Sequence, residues 1–190
     1  MDLISNPFKK HPVDLCCSSD ELRPFMNYIY FIKGIAYATD AYALVALSLK
    51  DIDADKALME CLEGYKMKRE DMQFMNGYEY LFPKADGTIV LNLDGTRQLV
   101  LCKINFDDAE KKYQTIIDIC EKAKAEVKTK STSISKIKMR LSLIERIGKA
   151  VGFSNSVRFN FMKEPDRVFL EFGNYKNSFA LVMPMMDDGE

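Results

Sequence analysis

The stretch SKIKMRLSLIERIGKAVGFSNSVRFNFMKEPDRVFLEFGNYKNSFALVMPM, residues 135–185, decides the fold prediction. Leu141, Ile144 and Ile147 recur every three or four residues, which predicts a helix that Gly152 would end. Val157, Phe159 and Phe161 alternate with the residues between them, as expected of a strand with two different faces. Two further apolar runs follow after turn residues. The stretch is therefore predicted to form a strand, a helix and a three-stranded meander, a β-α-β-β-β unit.

The same order of elements recurs earlier in the chain. At 65–104 a short strand and a short helix precede runs around 78–82, 88–93 and 97–104, separated by Asp-Gly turns. At 28–49 three more runs predict a meander whose preceding helix is shortened or lost. An internal repeat determines the architecture, so the prediction is an α+β fold of repeated units, with antiparallel sheets and helices on one face.

Two helices lie outside this pattern. A short one within 50–64 is capped by Asp53 or Asp55 and ended by Gly64, and a longer one at 107–127 carries an apolar stripe. A short strand over 13–16 is possible. The predicted organisation is a two-unit domain at 1–104, a helical connector at 105–134 and a third half-domain at 135–190.

Composition places the chain among globular proteins. It has 190 residues, 47% of them hydrophobic and 29% charged. No apolar run approaches the roughly 20 residues that span a bilayer, and the N-terminus lacks the pattern of a secretory signal. Five cysteines without a CxxC pair favour neither a disulfide framework nor a zinc site, so we expect a reducing cytoplasm.

Charge is unevenly distributed along the sequence. Residues 111–149 hold eleven Lys or Arg against four acidic residues, although the whole chain has a net charge of −1. A basic stretch of this kind can meet a polyanion such as nucleic acid. A solvated helix and linker is the alternative interpretation of the same stretch.

The sequence shows no catalytic constellation. His11 stands alone, Cys16 and Cys17 have no evident partner base, and an Asp pair at 107–108 is explained as a helix cap. Neither phosphate-binding glycine motif is present. The sequence thus predicts no enzyme and no cofactor, although an α+β enzyme whose site assembles in space stays an alternative.

Several residues of the repeated units resemble the bacterial DNA sliding clamp, the beta subunit of the replicative polymerase. Runs at 156–172 and 178–186 are similar to the last half-domain of that clamp, which closes on Met-Pro-Met. Arg23-Pro24 before a strand, Gly34, and the Ala-Thr-Asp run at 38–40 resemble its first half-domain pattern. A clamp protomer has six such units and this chain has three, so the resemblance implies a shortened relative.

The resemblance implies a DNA-binding surface. Clamp helices line a hole and present Lys and Arg to duplex phosphates, which gives binding without base readout. The matching positions in this chain are Arg23, Lys66, Lys68, Arg69, Arg140, Arg146 and Lys149. For each one taken singly, an ordinary exposed charge is the alternative.

The resemblance also implies a groove for partner peptides, walled by the tail strand. Its residues here are Leu181, Val182, Met183, Pro184 and Met185. Methionine side chains suit such a groove because they repack around different ligands. A strand that simply closes a sheet is the alternative.

Two functional hypotheses follow from the resemblance. The first is a non-catalytic, sliding-clamp-like replication or repair accessory that binds duplex DNA independently of sequence. The second is a clamp-fold protein-interaction module that does not encircle DNA. Both imply peptide motifs of replication or repair proteins as partners, and a homo-oligomer formed through open sheet edges.

Overall fold

The computed structural model describes residues 3–105, 108–127, 139–152, 156–161 and 167–183. Within these residues the chain forms twelve strands and four α-helices. The strands are β1 (Ile4–Ser5), β2 (Tyr28–Ile32), β3 (Ile35–Thr39), β4 (Ala43–Ser48), β5 (Tyr65–Lys68), β6 (Tyr80–Pro83), β7 (Thr88–Val90), β8 (Gln98–Val100), β9 (Cys102–Lys103), β10 (Val157–Phe161), β11 (Val168–Phe172) and β12 (Tyr175–Val182). The helices are α1 (Lys56–Leu62), α2 (Arg69–Met75), α3 (Asp108–Val127) and α4 (Leu141–Ala150).

The strands form two antiparallel sheets. One has four strands in the order β1-β6-β7-β8, and the other has eight in the order β10-β11-β12-β4-β3-β2-β5-β9. The first two units exchange their first strands: β1 pairs with β6 of the second unit, and β5 pairs with β2 of the first. This reciprocal exchange ties the two predicted repeats to each other.

The third unit joins the same large sheet. Its meander β10-β11-β12 pairs in register, and β12 then pairs with β4 of the first unit, with Phe179 opposite Ala46. Beyond this ladder the Ser178 hydroxyl accepts a 2.9 Å hydrogen bond from the Ser48 N–H and donates a 2.8 Å bond to Asp51. Strands of the first and third units therefore share one sheet, and the division into three domains stays a prediction.

Both faces of the large sheet are covered. The larger core contains buried residues of α1, α2 and α4, whereas the smaller core contains residues of α3. All six residues of β4 are buried, as expected of a strand covered on both faces. Three helices thus lie on the predicted face, and α3 is the exception because the opposite face is apolar too.

The first unit has a 3₁₀ helix where the others have an α-helix. The possible strand over 13–16 is wrong: Val13–Cys16 is a 3₁₀ helix that follows Pro12, with the Cys17 N–H donating to the Asp14 carbonyl at 3.0 Å. Val13 and Cys16 are fully buried in the larger core. A shortened first helix is therefore what the structure shows.

The second unit differs in its last strand. The run predicted as one strand over 97–104 is two strands, β8 in the small sheet and β9 in the large one. Between them lies buried Leu101, whose N–H donates to the Gly87 carbonyl at 2.9 Å and turns the chain from one sheet to the other.

The helix and strands of the third unit match the prediction. Helix α4 ends at Ala150, and Gly152 follows two residues later with a φ of 76°, the left-handed conformation that closes a helix C-terminus. The strand predicted before α4 lies mostly outside the described residues, as does the turn at Pro165.

Candidate interaction surfaces

The predicted DNA-binding residues on and before α4 lie together but are already engaged. Arg146 forms a partly buried ion pair with Asp40, and Lys149 pairs with Glu145 one helical turn away at 2.7 Å. The guanidinium of Arg140 lies 5.5 Å from the centre of the Tyr42 ring. Such contacts are compatible with an exposed charged surface, but they place acidic partners next to two of the three cations.

The other predicted DNA-binding residues do not join this group. Tyr65 and Met67 pack with the larger core, so the alternating Lys66 and Lys68 point to the opposite face of β5. There the Lys66 ammonium lies 5.0 Å from the ring centre of Tyr28, which packs against the smaller core. The predicted set is therefore split between two faces of the sheet.

The remaining two predicted residues lie elsewhere again. Arg69 begins α2, near the buried carboxyl of Asp14. Arg23 precedes β2 and lies 3.9 Å from Asp20. The seven positions thus do not form one continuous basic surface.

Charges on the helices of the larger core balance. Helices α1, α2 and α4 together carry four basic and four acidic residues: Lys56, Arg69, Arg146 and Lys149 against Glu60, Glu70, Asp71 and Glu145. Lys128, Lys130, Lys136 and Lys138 supply much of the predicted basic stretch and lie outside the described residues. The helix-bearing face, meaning the side of the large sheet that carries α1, α2 and α4, thus gains no net charge from these three helices.

The tail strand of the predicted peptide groove divides between the two cores. Leu181 is only 8% exposed and packs in the smaller core, whereas Val182 is fully buried in the larger one. Met183 is 44% exposed, and Pro184 and Met185 lie outside the described residues. Leu181 belongs to the surface that α3 covers.

This α3-covered surface is the largest feature that the sequence analysis did not place. It draws on five strands of the large sheet, and its apolar residues are Tyr30, Tyr37, Leu44, Ala46, Phe169, Phe179 and Leu181. Tyr113 of α3 stacks on Tyr30 with ring centres 3.8 Å apart, and Ile117 is buried one turn later. In the sequence, β2 indicates that a second face of the sheet is covered, because its apolar residues occur on both faces.

The described groups that the sequence analysis considered for catalysis are buried or isolated. Burial raises the pKa of the Cys16 thiol to about 12, so this thiol stays protonated and unreactive at neutral pH. Burial lowers the pKa of His11, whose Nδ1 lies 3.1 Å from the Val151 carbonyl. Among the described residues no group of three or more potential metal ligands occurs, and none of their helices has the length and apolarity to cross a membrane.

Comparisons with known proteins identify the fold. No protein-family model matches the chain, and no curated protein matches it in sequence. The DNA polymerase III subunit beta from Borrelia burgdorferi matches with a TM-score of 0.55 at 11% identity, over 98% of this chain and 65% of that one. A sliding clamp from Bartonella birtlesii gives 0.52 at 14% identity, over 97% of this chain and 65% of its own.

A third solved structure agrees with these two. The DNA polymerase III beta subunit from Thermotoga maritima matches with a TM-score of 0.50 at 8% identity, over 99% of this chain and 64% of that one. The chain thus spans about 65% of the length of these solved proteins. The clamp-like α+β fold that the sequence predicted is confirmed.

Proposed function

We propose that the protein is a non-catalytic, clamp-fold accessory of DNA replication or repair that acts by binding partner proteins and does not hold duplex DNA against its helix-bearing face. The fold supports the replication context, because solved proteins with this fold are sliding clamps and polymerase beta subunits. The statement that duplex DNA is not held there rests on the equal numbers of basic and acidic residues on α1, α2 and α4. A cytoplasmic location belongs to the proposal as well.

Electrostatics explains why that balance matters. Duplex DNA is held without sequence preference by cations that contact its phosphates, and each such contact adds to affinity and to salt dependence. On the helix-bearing face, Lys149 and Arg146 lie beside the acidic Glu145 and Asp40. Carboxylates next to these cations repel the phosphates that the cations attract, so this face offers little net attraction.

Sequence-independent duplex binding is the second candidate function. Arg140, just before α4, and Lys149, in its last turn, are both exposed, and the sequence before α4 carries four lysines at 128–138. This candidate keeps these predicted residues in their predicted role.

A titration of labelled duplex DNA by fluorescence anisotropy separates the two functions. At about 50 mM salt, where phosphate contacts are strong, we expect no affinity that depends on the cations of α4. The test variant is R140A/K149A, and K50A/K103A is a control that removes the same charge from exposed sites elsewhere. Salt-dependent binding that the first variant weakens and the control retains overturns the proposal in favour of duplex binding.

Self-association through an open sheet edge is a further part of the proposal. Among the described strands β10 pairs with β11 alone, so its other side offers backbone groups to a second strand, and Val157 and Phe159 on it are exposed. Light scattering measures this directly, and a monomer mass across working concentrations contradicts this part alone.

A further inference from the structure

We infer that β10 is the interface of a two-fold dimer, in which it pairs antiparallel with β10 of a second copy of this chain. The inference rests on the self-association part of the proposed function, and it names the strand, the partner and the register. In both other units, the strand equivalent to β10 has a neighbour that comes from outside the unit.

The first two units show what lies beside the first strand of a meander. Strand β2 holds this position in the first unit, and its outer neighbour β5 belongs to the second unit. Strand β6 holds it in the second unit, and its outer neighbour β1 belongs to the first. In neither unit is this neighbour the unit's own first strand. Strand β10 holds the same position in the third unit, and the first two units already exchange their first strands with each other, so a second copy is the source that remains.

The backbone of β10 is arranged to receive such a strand. The Gly173 N–H donates to the Ser156 carbonyl at 2.9 Å, so this is a hydrogen-bonded pair of the antiparallel ladder with β11. Hydrogen-bonded pairs alternate along such a ladder, so every second residue from Ser156 bonds to β11. The N–H and C=O groups of Val157, Phe159 and Phe161 therefore point to the open edge, where they form a template for a further strand.

The side chains of these three residues make the edge apolar. They lie opposite residues of β11 that are buried in the larger core, so all three point to the helix-bearing face. Val157 is 36% exposed and Phe159 is 38% exposed. No charged residue of β10 points to this face, although an inward-pointing charge is a common protection of a free edge. A strand that pairs here covers apolar surface as well as backbone groups.

The sequence of β10 selects one two-fold register. When Phe159 lies opposite Phe159 of the partner subunit, all three outward-pointing residues pair with outward-pointing residues, and Val157 lies opposite Phe161. Arg158 then lies opposite Asn160, so no like charges meet. Moving the axis by one residue leaves fewer such pairs, and moving it to Arg158 also sets two guanidinium groups opposite each other, which destabilises a ladder.

The open edge of the small sheet does not fit β10 in this way. The Leu101 N–H donates to the Gly87 carbonyl, so the outward-pointing backbone groups of β8 belong to Gln98 and Val100. Leu99 between them packs against the larger core, so their side chains point away from it. Hydrogen-bonded residues on antiparallel strands share a face. Antiparallel pairing of β8 with β10 would therefore join unlike faces of two copies, whereas the two-fold pairing of β10 joins like faces.

Cysteine cross-linking in the full chain tests the register. The C102S background removes the exposed cysteine among those described. On it, F159C places two thiols at a hydrogen-bonded pair, whose Cα atoms lie about 5.5 Å apart and within the range of a disulfide. R158C is the matched control, because its two copies lie diagonally at roughly 8 Å, too far for a disulfide. With copper–phenanthroline as oxidant, we expect F159C to form a linked dimer at least about tenfold faster than R158C or the C102S parent.

A charge on the axis tests whether this pairing holds the dimer together. F159K sets two ammonium groups opposite each other across the axis, which opposes pairing. V100K is the matched control, because it adds the same charge to the other open edge at an exposed residue. We expect the dimer dissociation constant, measured by sedimentation, to rise at least about tenfold for F159K and to stay unchanged for V100K.

Each outcome decides the inference. A wild type that stays a monomer across working concentrations overturns it together with the self-association part of the proposed function. A dimer that F159K leaves intact, that V100K dissociates, or that R158C links as readily as F159C overturns the two-fold pairing of β10 and leaves self-association standing. If F159K does not fold, the cross-linking comparison decides alone. The duplex titration tests the rest of the proposed function separately, so the two can fail independently.

Discussion

Replacing Ser178 by Ala tests how the third unit is attached to the first. The Ser178 hydroxyl accepts the 2.9 Å hydrogen bond from the Ser48 N–H, and both residues are buried at the junction of β12 with β4. Alanine leaves that N–H without an acceptor and away from water, which costs about 1–3 kcal/mol. The Asp51 carboxylate loses the Ser178 hydroxyl as a donor but keeps the 2.8 Å hydrogen bond from the Asn177 N–H, so this loss adds little to the free-energy cost. We expect the free energy of unfolding to fall by about 2 kcal/mol.

Urea denaturation measures this loss as a lower midpoint with an unchanged slope. Ser5→Ala is the matched control, because Ser5 is exposed in β1, and its effect should stay within about 0.5 kcal/mol. A loss below about 0.5 kcal/mol for S178A would refute the hydrogen bond as a link between the two units.

Two further predictions concern the end of α4. Gly152→Ala should destabilise the protein by about 1–3 kcal/mol more than the control Gly95→Ala. Both glycines have φ above 70°, but only at Gly152 would the new Cβ lie 2.6 Å from the His11 ring. Equal losses in the urea midpoints of the two variants would contradict this packing. Because burial lowers the pKa of His11 below 6.5, the unfolded chain binds a proton more readily, so the free energy of unfolding should fall as pH drops below about 6.5. His11→Gln should reduce this fall, and an identical pH profile for the variant would contradict the prediction.

Much of the fold follows from local sequence patterns. The spacing of Leu141, Ile144 and Ile147 predicts α4. Ile147 is buried in the larger core and Ile144 packs against it, whereas Leu141 is exposed at the start of the helix. Alternation and Gly turns predict the three meanders, and the repeat of one pattern predicts their common architecture. These features can be predicted from the sequence because each depends on residues a few positions apart.

The position of α3 could not be predicted from such local patterns. Its apolar stripe shows that it packs against something, but a stripe does not say which of two apolar sheet faces receives it. The sequence places Tyr113 on this stripe, whereas its stacking on Tyr30 depends on how distant strands pair. The same limit applies to the switch of sheets at Leu101, which depends on the Gly87 carbonyl.

The candidate site was only partly predictable for a related reason. Positive charges can be counted along the chain, but their neighbours in space cannot. Arg146 pairs with Asp40, which lies 106 positions away in the sequence. Strand alternation does turn Lys66 and Lys68 to one face, yet only the structure shows that α4 lies on the other.

Native-state hydrogen exchange tests most directly how the two cores divide the molecule, with α3 packed on the smaller core. Local openings have their own free energies, which range up to that of global unfolding. Backbone amides of α3 should exchange through an opening clearly smaller in free energy than the one that releases β4 and β12. If the amides of all three elements exchange with the same free energy, α3 unfolds only with the whole protein and the account is wrong.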